Sequence, residues 1–208
     1  MKVDKISVTD RCRTSFDINI EPRQLLKMRL DIEELEHKST NELNGFAERL
    51  VTLMPSLYSH SDSYGNANGF LNELKKGTGI AYVVSHIAAE LQVLGGMDGE
   101  YICTAQTDVQ GLYDLEIGCV HADTGTYAAL AAVEIVEALV CEKLYFIKYD
   151  IDRLKCLNEQ NNHIVMKRKE LQKNTSSSYL KANAPASIAA YATHGSSAHL
   201  NKVFSQNL

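Results

Sequence analysis

The stretch Gly77 to Gly99, GTGIAYVVSHIAAELQVLGGMDG, leaves this chain little choice of architecture. Ile80, Val83, Val84, Ile87, Leu91 and Leu94 recur at helical spacing and form a wide apolar face, so the segment reads as a helix buried in a core. Thr78 is placed to cap it and Gly95-Gly96 to end it. The same helix carries Tyr82, Ser85, His86 and Glu90 along one side. Those positions are three and four apart, the spacing at which helix side chains can share a ligand. The helix therefore holds a catalytic site, the remains of one, or only a core.

The flanking segments supply the layers around it. Residues 5–9 and 24–32 read as strands, the second alternating Leu26, Met28, Leu30 and Ile32 with polar neighbours. Ser39 or Thr40 is placed to cap a helix, with Glu42 three residues after Ser39 as in a capping box. Leu43, Phe46, Leu50, Leu53 and Met54 give that helix its stripe, and Pro55 marks its end. GFLNELKKG is a short helix stopped by Gly77. EYICTAQTD and GLYDLEIGCVH are two strands joined by a turn. A long Ala-rich helix follows from Thr124 to Leu144, then a short one over Tyr149–Gln160. The order predicts an α+β fold, a largely antiparallel sheet packed against helices in a single domain over residues 1–160. Beyond residue 160 the periodicity stops and the Ser/Ala/Thr-biased sequence predicts a basic, low-complexity, flexible tail over 161–208.

Charge is divided the same way. The net charge is −5, yet residues 161–208 hold six Lys and Arg against Glu170 alone, so the first 160 residues are strongly acidic. An acidic body argues against nucleic acid as the partner and suits a cationic ligand. No apolar run reaches membrane-spanning length and the first twenty residues contain no secretory h-region, so the expected location is cytoplasmic, with no membrane partner. The five cysteines are odd in number and form no CxxC, which favours reduced thiols over a disulfide framework or zinc knuckle.

Residues 26–97, from LKMRLDIEELE through NELNGFAERL, LMPSLYSHSDSYGNANGF and GTGIAYVVSHIAAELQVLGGM, resemble the N-terminal domain of cyanophycin synthetases. GLYDLEIGCVHADTGTYAALAAVEIVEAL continues the likeness, which covers roughly residues 24–140. Cyanophycin is a poly-aspartate bearing arginine on each side chain. The resemblance implies a domain that holds the polymer beside two ATP-dependent ligase domains, an ATP-grasp and a Mur-ligase-like one. In some members it also implies a metal-dependent hydrolase that cuts polymer into primers.

Three departures bear on function. No ATP-grasp or Mur-ligase-like sequence follows residue 160 and no nucleotide loop is visible, so the chain is read as a stand-alone or truncated relative that does not run the synthetase reaction alone. The family's HxxEH, two metal-gripping His flanking a water-activating Glu, becomes Tyr82, Ser85 and His86. One ligand and the general base are replaced, and a serine cannot take a proton as a carboxylate does. Finally, two family arginines align with Cys103 and Ala105.

The candidate ligand-binding residues are His60, Ser61 and Asp62 of the YSHSDS loop, Glu90 on the helix, and Asp31, Glu33 and Glu34 of DIEELE, whose carboxylates suit guanidinium groups. Adjacency of Ser, His and Asp in the loop does not make a catalytic triad. His60, His86 and Glu90 are weak metal candidates, and His194 and His199 fall in the tail. The expected function is non-catalytic: binding cyanophycin or an arginine-rich peptide, or serving as an accessory module with a cyanophycin synthetase as partner. No cofactor is expected. The competing readings are a residual zinc-dependent cyanophycin peptidase and a decayed synthetase fragment. Homo-oligomerisation stays open.

Overall fold

The computed structural model describes residues 1–10, 24–61, 65–97 and 102–182, with side chains to residue 172. The chain divides into two compact units, residues 1–162 and 163–208. The first unit holds the sheet, the core and every site discussed below.

Four strands form one sheet: β1 (Lys2–Asp10), β2 (Gln24–Asp31), β3 (Ile102–Gln106) and β4 (Leu112–Cys119). Their order is β1-β2-β4-β3, and every neighbouring pair is antiparallel. The register between β2 and β4 sorts residues by face. Leu26 lies opposite Ile117 and Met28 opposite Leu115, all four fully buried or nearly so. The alternate pairs are charged. Lys27 Nζ meets Glu116 Oε1 at 2.6 Å, and Arg29 reaches Asp114 with two donors at 2.8 Å each. Period-two alternation thus commits one face to the core and gives the other a row of exposed ion pairs.

The inner face is covered by two helices, α3 (Ile80–Leu94) and α4 (Ala122–Val140), while α1 (Phe46–Leu53) packs on α4 and α2 (Gly69–Lys76) on α1. As expected from its breadth of apolar residues, α3 is buried almost all round, from Ile80 to Gln92. Gln92 Nε2 donates to Gly118 O at 3.0 Å, tying the helix to β4. Close approach of α4 to the same strand requires Gly125, because a Cβ there would lie 2.6 Å from Cys119 Cβ. Leu26, Phe46, Leu50, Phe70, Ile87, Leu115 and Ile135 belong to one continuous core.

Local corrections to the expected elements have simple causes. The Ser39–Glu42 box exists, with Ser39 N–H donating to Glu42 Oε2 at 2.8 Å, but it closes a 3-10 turn at Thr40–Glu42. The helix starts only at Phe46 because Gly45, at φ +59°, turns the chain first. Gly79 rather than Thr78 caps α3; the Thr78 amide donates to Thr40 Oγ1 at 2.9 Å. The last helix, α5 (Lys148–Ala182), is far longer than the short helix expected over Tyr149–Gln160. Met, Lys, Arg, Glu, Leu and Gln are strong helix formers, so residues 165–172 continue a helix that an amphipathic stripe alone would not reveal. The helix runs on through Ala182, and the rest of the expected tail, with His194 and His199, lies outside the described residues. The described cysteines, Cys103, Cys119, Cys141 and Cys156, are unpaired. Among the described residues no helix is long and apolar enough to cross a membrane.

Candidate functional site

The polar line on α3 meets a histidine from outside the helix. A 3-10 turn over Pro55–Ser59 delivers His60, and the Phe70 amide donates to His60 O at 3.2 Å, which fixes the loop against α2. His60 then bridges two side chains of α3. Its Nε2 lies 2.7 Å from Glu90 Oε2 and its Nδ1 3.3 Å from His86 Nδ1. As a carboxylate Glu90 can only accept, so His60 Nε2 carries the hydrogen of that bond. A single proton then serves the contact between the two Nδ1 atoms. Aromatic rings close the site: Phe70 stacks on His86 with centroids 4.2 Å apart, and Tyr82 meets it edge-on at 4.4 Å.

Burial sets the chemistry. His86 is 5% exposed and Glu90 3%. Removal from water, helped by the nearby His60 ring, pushes the His86 imidazole down to about 3, so it is neutral at neutral pH. Glu90 Oε1 has no hydrogen-bond partner among the described residues. An enclosed carboxylate oxygen in that condition is costly to maintain.

The Ser85 and Tyr82 side chains are engaged within the fold. Ser85 Oγ donates to Tyr82 O at 2.8 Å and accepts from Thr104 Oγ1 of β3 at 3.0 Å. The Tyr82 ring packs on Phe70 and His86, filling space beside the imidazole. Both nitrogens of His60 are committed to Glu90 and His86. Among the described residues no three His, Cys, Asp or Glu side chains are arranged to hold a metal ion. The residues present therefore do not fit the zinc that an intact HxxEH would bind. Ser61 is exposed beside His60, whereas Asp62 lies outside the described residues.

The carboxylates of DIEELE separate into two groups. Asp31 Oδ1 accepts the Glu33 amide at 2.9 Å and holds the turn that puts Glu33 at φ +51°. Glu36 accepts from Gln106 Nε2 and Tyr113 Oη at 2.8 and 2.9 Å; burial and that carboxylate push the Tyr113 phenol up to about 12. Glu33 and Glu34 instead line an open cavity of about 690 Å³, joined there by Glu134 and Glu137 of α4 and by Lys38 and Lys143. Sequence reasoning missed Glu134 and Glu137. Their signal was two charges three residues apart on an otherwise Ala-rich helix.

Cys103 and Ala105 lie opposite Glu116 and Asp114 in the sheet. Those carboxylates are met from the other side by Lys27 and Arg29 of β2, so the face keeps its ion pairs without charge on β3.

Residues 27–141 match the family described as the cyanophycin synthase-like N-terminal domain. The chain is similar to the cyanophycin synthetase of Crocosphaera subtropica, 38% identical over 130 residues that make up 62% of this chain and 15% of that protein. The cyanophycin synthetase of Synechocystis is 38% identical over 122 residues, 59% of this chain and 14% of the relative. That of Geminocystis herdmanii is 35% identical over 141 residues, 68% of this chain and 16% of the relative. The chain thus spans about one seventh of the length of the curated relatives it matches.

Proposed function

Because the chain belongs to the cyanophycin synthase-like N-terminal domain family, we propose that it is a non-catalytic binding module of cyanophycin synthesis that holds the arginine-bearing polymer. The observation that carries this reading is the filled motif on α3. Ser85 hydrogen-bonds to Thr104 and the Tyr82 carbonyl where hydrolysis would need a carboxylate to activate water. The scaffold persists while its general base is gone.

A surface suited to the polymer's side chains supports the same reading. Glu33, Glu34, Glu134 and Glu137 outnumber the cations around the open cavity, Lys38, Lys143 and the Met1 ammonium, which meets Glu137 Oε1 at 2.7 Å and Glu33 Oε2 at 3.7 Å. Carboxylates there can meet guanidinium groups in bidentate fashion, and the contact would weaken with salt. Purified protein is expected to bind cyanophycin or β-Asp-Arg oligomers, with affinity falling as salt rises. Glu33→Lys combined with Glu134→Lys is expected to weaken that binding at least tenfold. Absence of salt-sensitive binding in the unaltered protein defeats the proposal.

One observation favours the rival hydrolase reading: a buried Glu90 that keeps one oxygen unpartnered among the described residues, next to two histidines. Zinc at one per chain together with clearing of insoluble polymer would establish that rival.

A further inference from the structure

The two edges of the sheet are built differently. Among the described residues β1 borders only β2, and β3 only β4. Along β1 the register shifts between Val3 and Lys5, so Asp4 bulges out of the ladder, and Lys2, Asp4 and Lys5 put charge along the strand. Bulges and charges are the devices that keep a sheet edge from pairing with another chain. β3 has neither. Ile102, Cys103, Thr104, Ala105 and Gln106 are uncharged, include no proline and pair with β4 without a break in register.

The ladder decides which backbone groups that edge presents. Thr107 N–H donates to Leu112 O at 2.9 Å, so Thr107 and Leu112 form a hydrogen-bonded pair. Bonded and non-bonded pairs alternate in an antiparallel ladder. Cys103 and Ala105 therefore spend their N–H and C=O groups on Glu116 and Asp114, and those of Ile102, Thr104 and Gln106 point away from the sheet. Side chains hold the strand in place: Thr104 Oγ1 donates to Ser85 Oγ of α3 at 3.0 Å, and Gln106 Nε2 to Glu36 Oε1 at 2.8 Å. The outward donors and acceptors are thus fixed in an extended row that a further strand can match.

That row is self-complementary. Turned about a two-fold axis at Thr104, it meets its own copy in antiparallel register, Thr104 against Thr104 and Ile102 against Gln106, with every outward N–H facing a C=O. On the outer face Cys103 of one copy then sits opposite Ala105 of the other, both exposed and small enough for close approach. Charge permits this contact even in a chain of net charge −5. The carboxylates of β4 on that face, Asp114 and Glu116, stand three strand spacings from their counterparts. That is about 14 Å, beyond the ~8 Å screening length at physiological salt. They are also held by Arg29 and Lys27. β1 of a second copy offers no such match, because its bulge and the charges of Lys2, Asp4 and Lys5 interrupt the row.

We propose that two copies of this chain join their four-stranded sheets edge to edge through β3, in one continuous antiparallel sheet that ends at β1 on both sides. The guarded β1 edges close the assembly at two copies. The pairing does not depend on the polymer-binding role.

The test follows the mass of the purified full chain by sedimentation velocity over a range of concentrations, with residue-resolved amide exchange on the same samples. The expected result is a monomer–dimer equilibrium in which the Ile102, Thr104 and Gln106 amides gain protection as the dimer forms, while those of Cys103 and Ala105 do not change. Two double variants, each checked for fold by circular dichroism, test the register. Cys103→Lys with Ala105→Lys sets lysine against lysine across the axis and should weaken the dimer about tenfold. Cys103→Lys with Ala105→Glu sets lysine against glutamate and should retain it. Thr104→Pro removes a central N–H that β4 does not use and should abolish pairing. A chain that stays monomeric at every concentration overturns the proposal. So does a dimer indifferent to the paired lysines, or one that the two charged variants weaken alike.

Discussion

Replacing His86 with phenylalanine should flatten the pH dependence of folding stability below neutrality. The imidazole sits 5% exposed between the Phe70 and Tyr82 rings. The titratable groups facing it are His60, 3.3 Å away, and Glu90 beyond it. Burial lowers its pKa from 6.5 to about 3 in the folded chain. A depressed folded value means the unfolded chain binds the proton first. Stability is therefore full above pH 6.5 and is lost as pH falls toward 3. Each pH unit in that window costs about 1.4 kcal/mol, so the site alone removes roughly 3 kcal/mol between pH 6.5 and 4. Against the usual 5–15 kcal/mol of a domain that is a large fraction. The His86→Phe variant keeps a stacked ring and loses the titration. Its loss of the bond to His60, about 1 kcal/mol, is already present at neutral pH. Urea unfolding at pH 7, 6, 5 and 4 separates the two effects. The gap between the proteins should close or invert as pH falls. Parallel curves would refute the assignment of a neutral buried imidazole.

Three further outcomes test other parts of the structure. Gly125→Ala places a Cβ 2.6 Å from Cys119 Cβ and 2.8 Å from its Sγ, so α4 must lift from β4; overpacking of this kind costs about 1–3 kcal/mol, read by thermal melting. Glu142→Gly relieves a left-handed non-glycine residue at φ +54°, in a cap where Lys143 N–H donates to Ala138 O at 2.8 Å, and should stabilise by roughly 1 kcal/mol. Tyr82→His with Ser85→Glu should melt below the unaltered protein in chelator, because it buries a carboxylate beside Thr104, and should gain stability on adding zinc. At a hundredfold excess over Kd the gain is about 2.7 kcal/mol; no zinc response would show that the scaffold has closed around the lost site.

How much of this was legible depended on whether a signal was local. The strand alternation of Leu26, Met28 and Leu30 against Lys27 and Arg29 carries its own face assignment, and the sheet obeys it. The apolar breadth of α3 dictated burial on nearly every side. The end of α5 was not legible, because its continuation rests on intrinsic propensity without an apolar stripe. The start of α1 was misplaced because the chain turns first at Gly45, at φ +59°, and that of α3 because the Thr78 amide is taken by Thr40 Oγ1 and Gly79 becomes the cap.

The site divides along the same line. Spacing on one helix placed Tyr82, Ser85, His86 and Glu90 together, and that reading needed no tertiary information. What each of them does is set by partners far along the chain. His60 arrives from 26 residues upstream of His86, and Thr104 from 19 residues beyond Ser85. With His60 bridging Glu90 to His86 and Thr104 holding Ser85, the polar line forms hydrogen bonds that stabilise the domain. A helix read from sequence as a degenerate catalytic element therefore serves here as the strut between the sheet and the His60 loop. The same logic separates Asp31 and Glu36, bound within the fold, from Glu33 and Glu34, which face an open cavity. Carboxylates that face the open cavity are the ones a cationic polymer can reach, Glu33 in exchange for the Met1 ammonium 3.7 Å away, and no spacing rule in DIEELE could have told the two pairs apart.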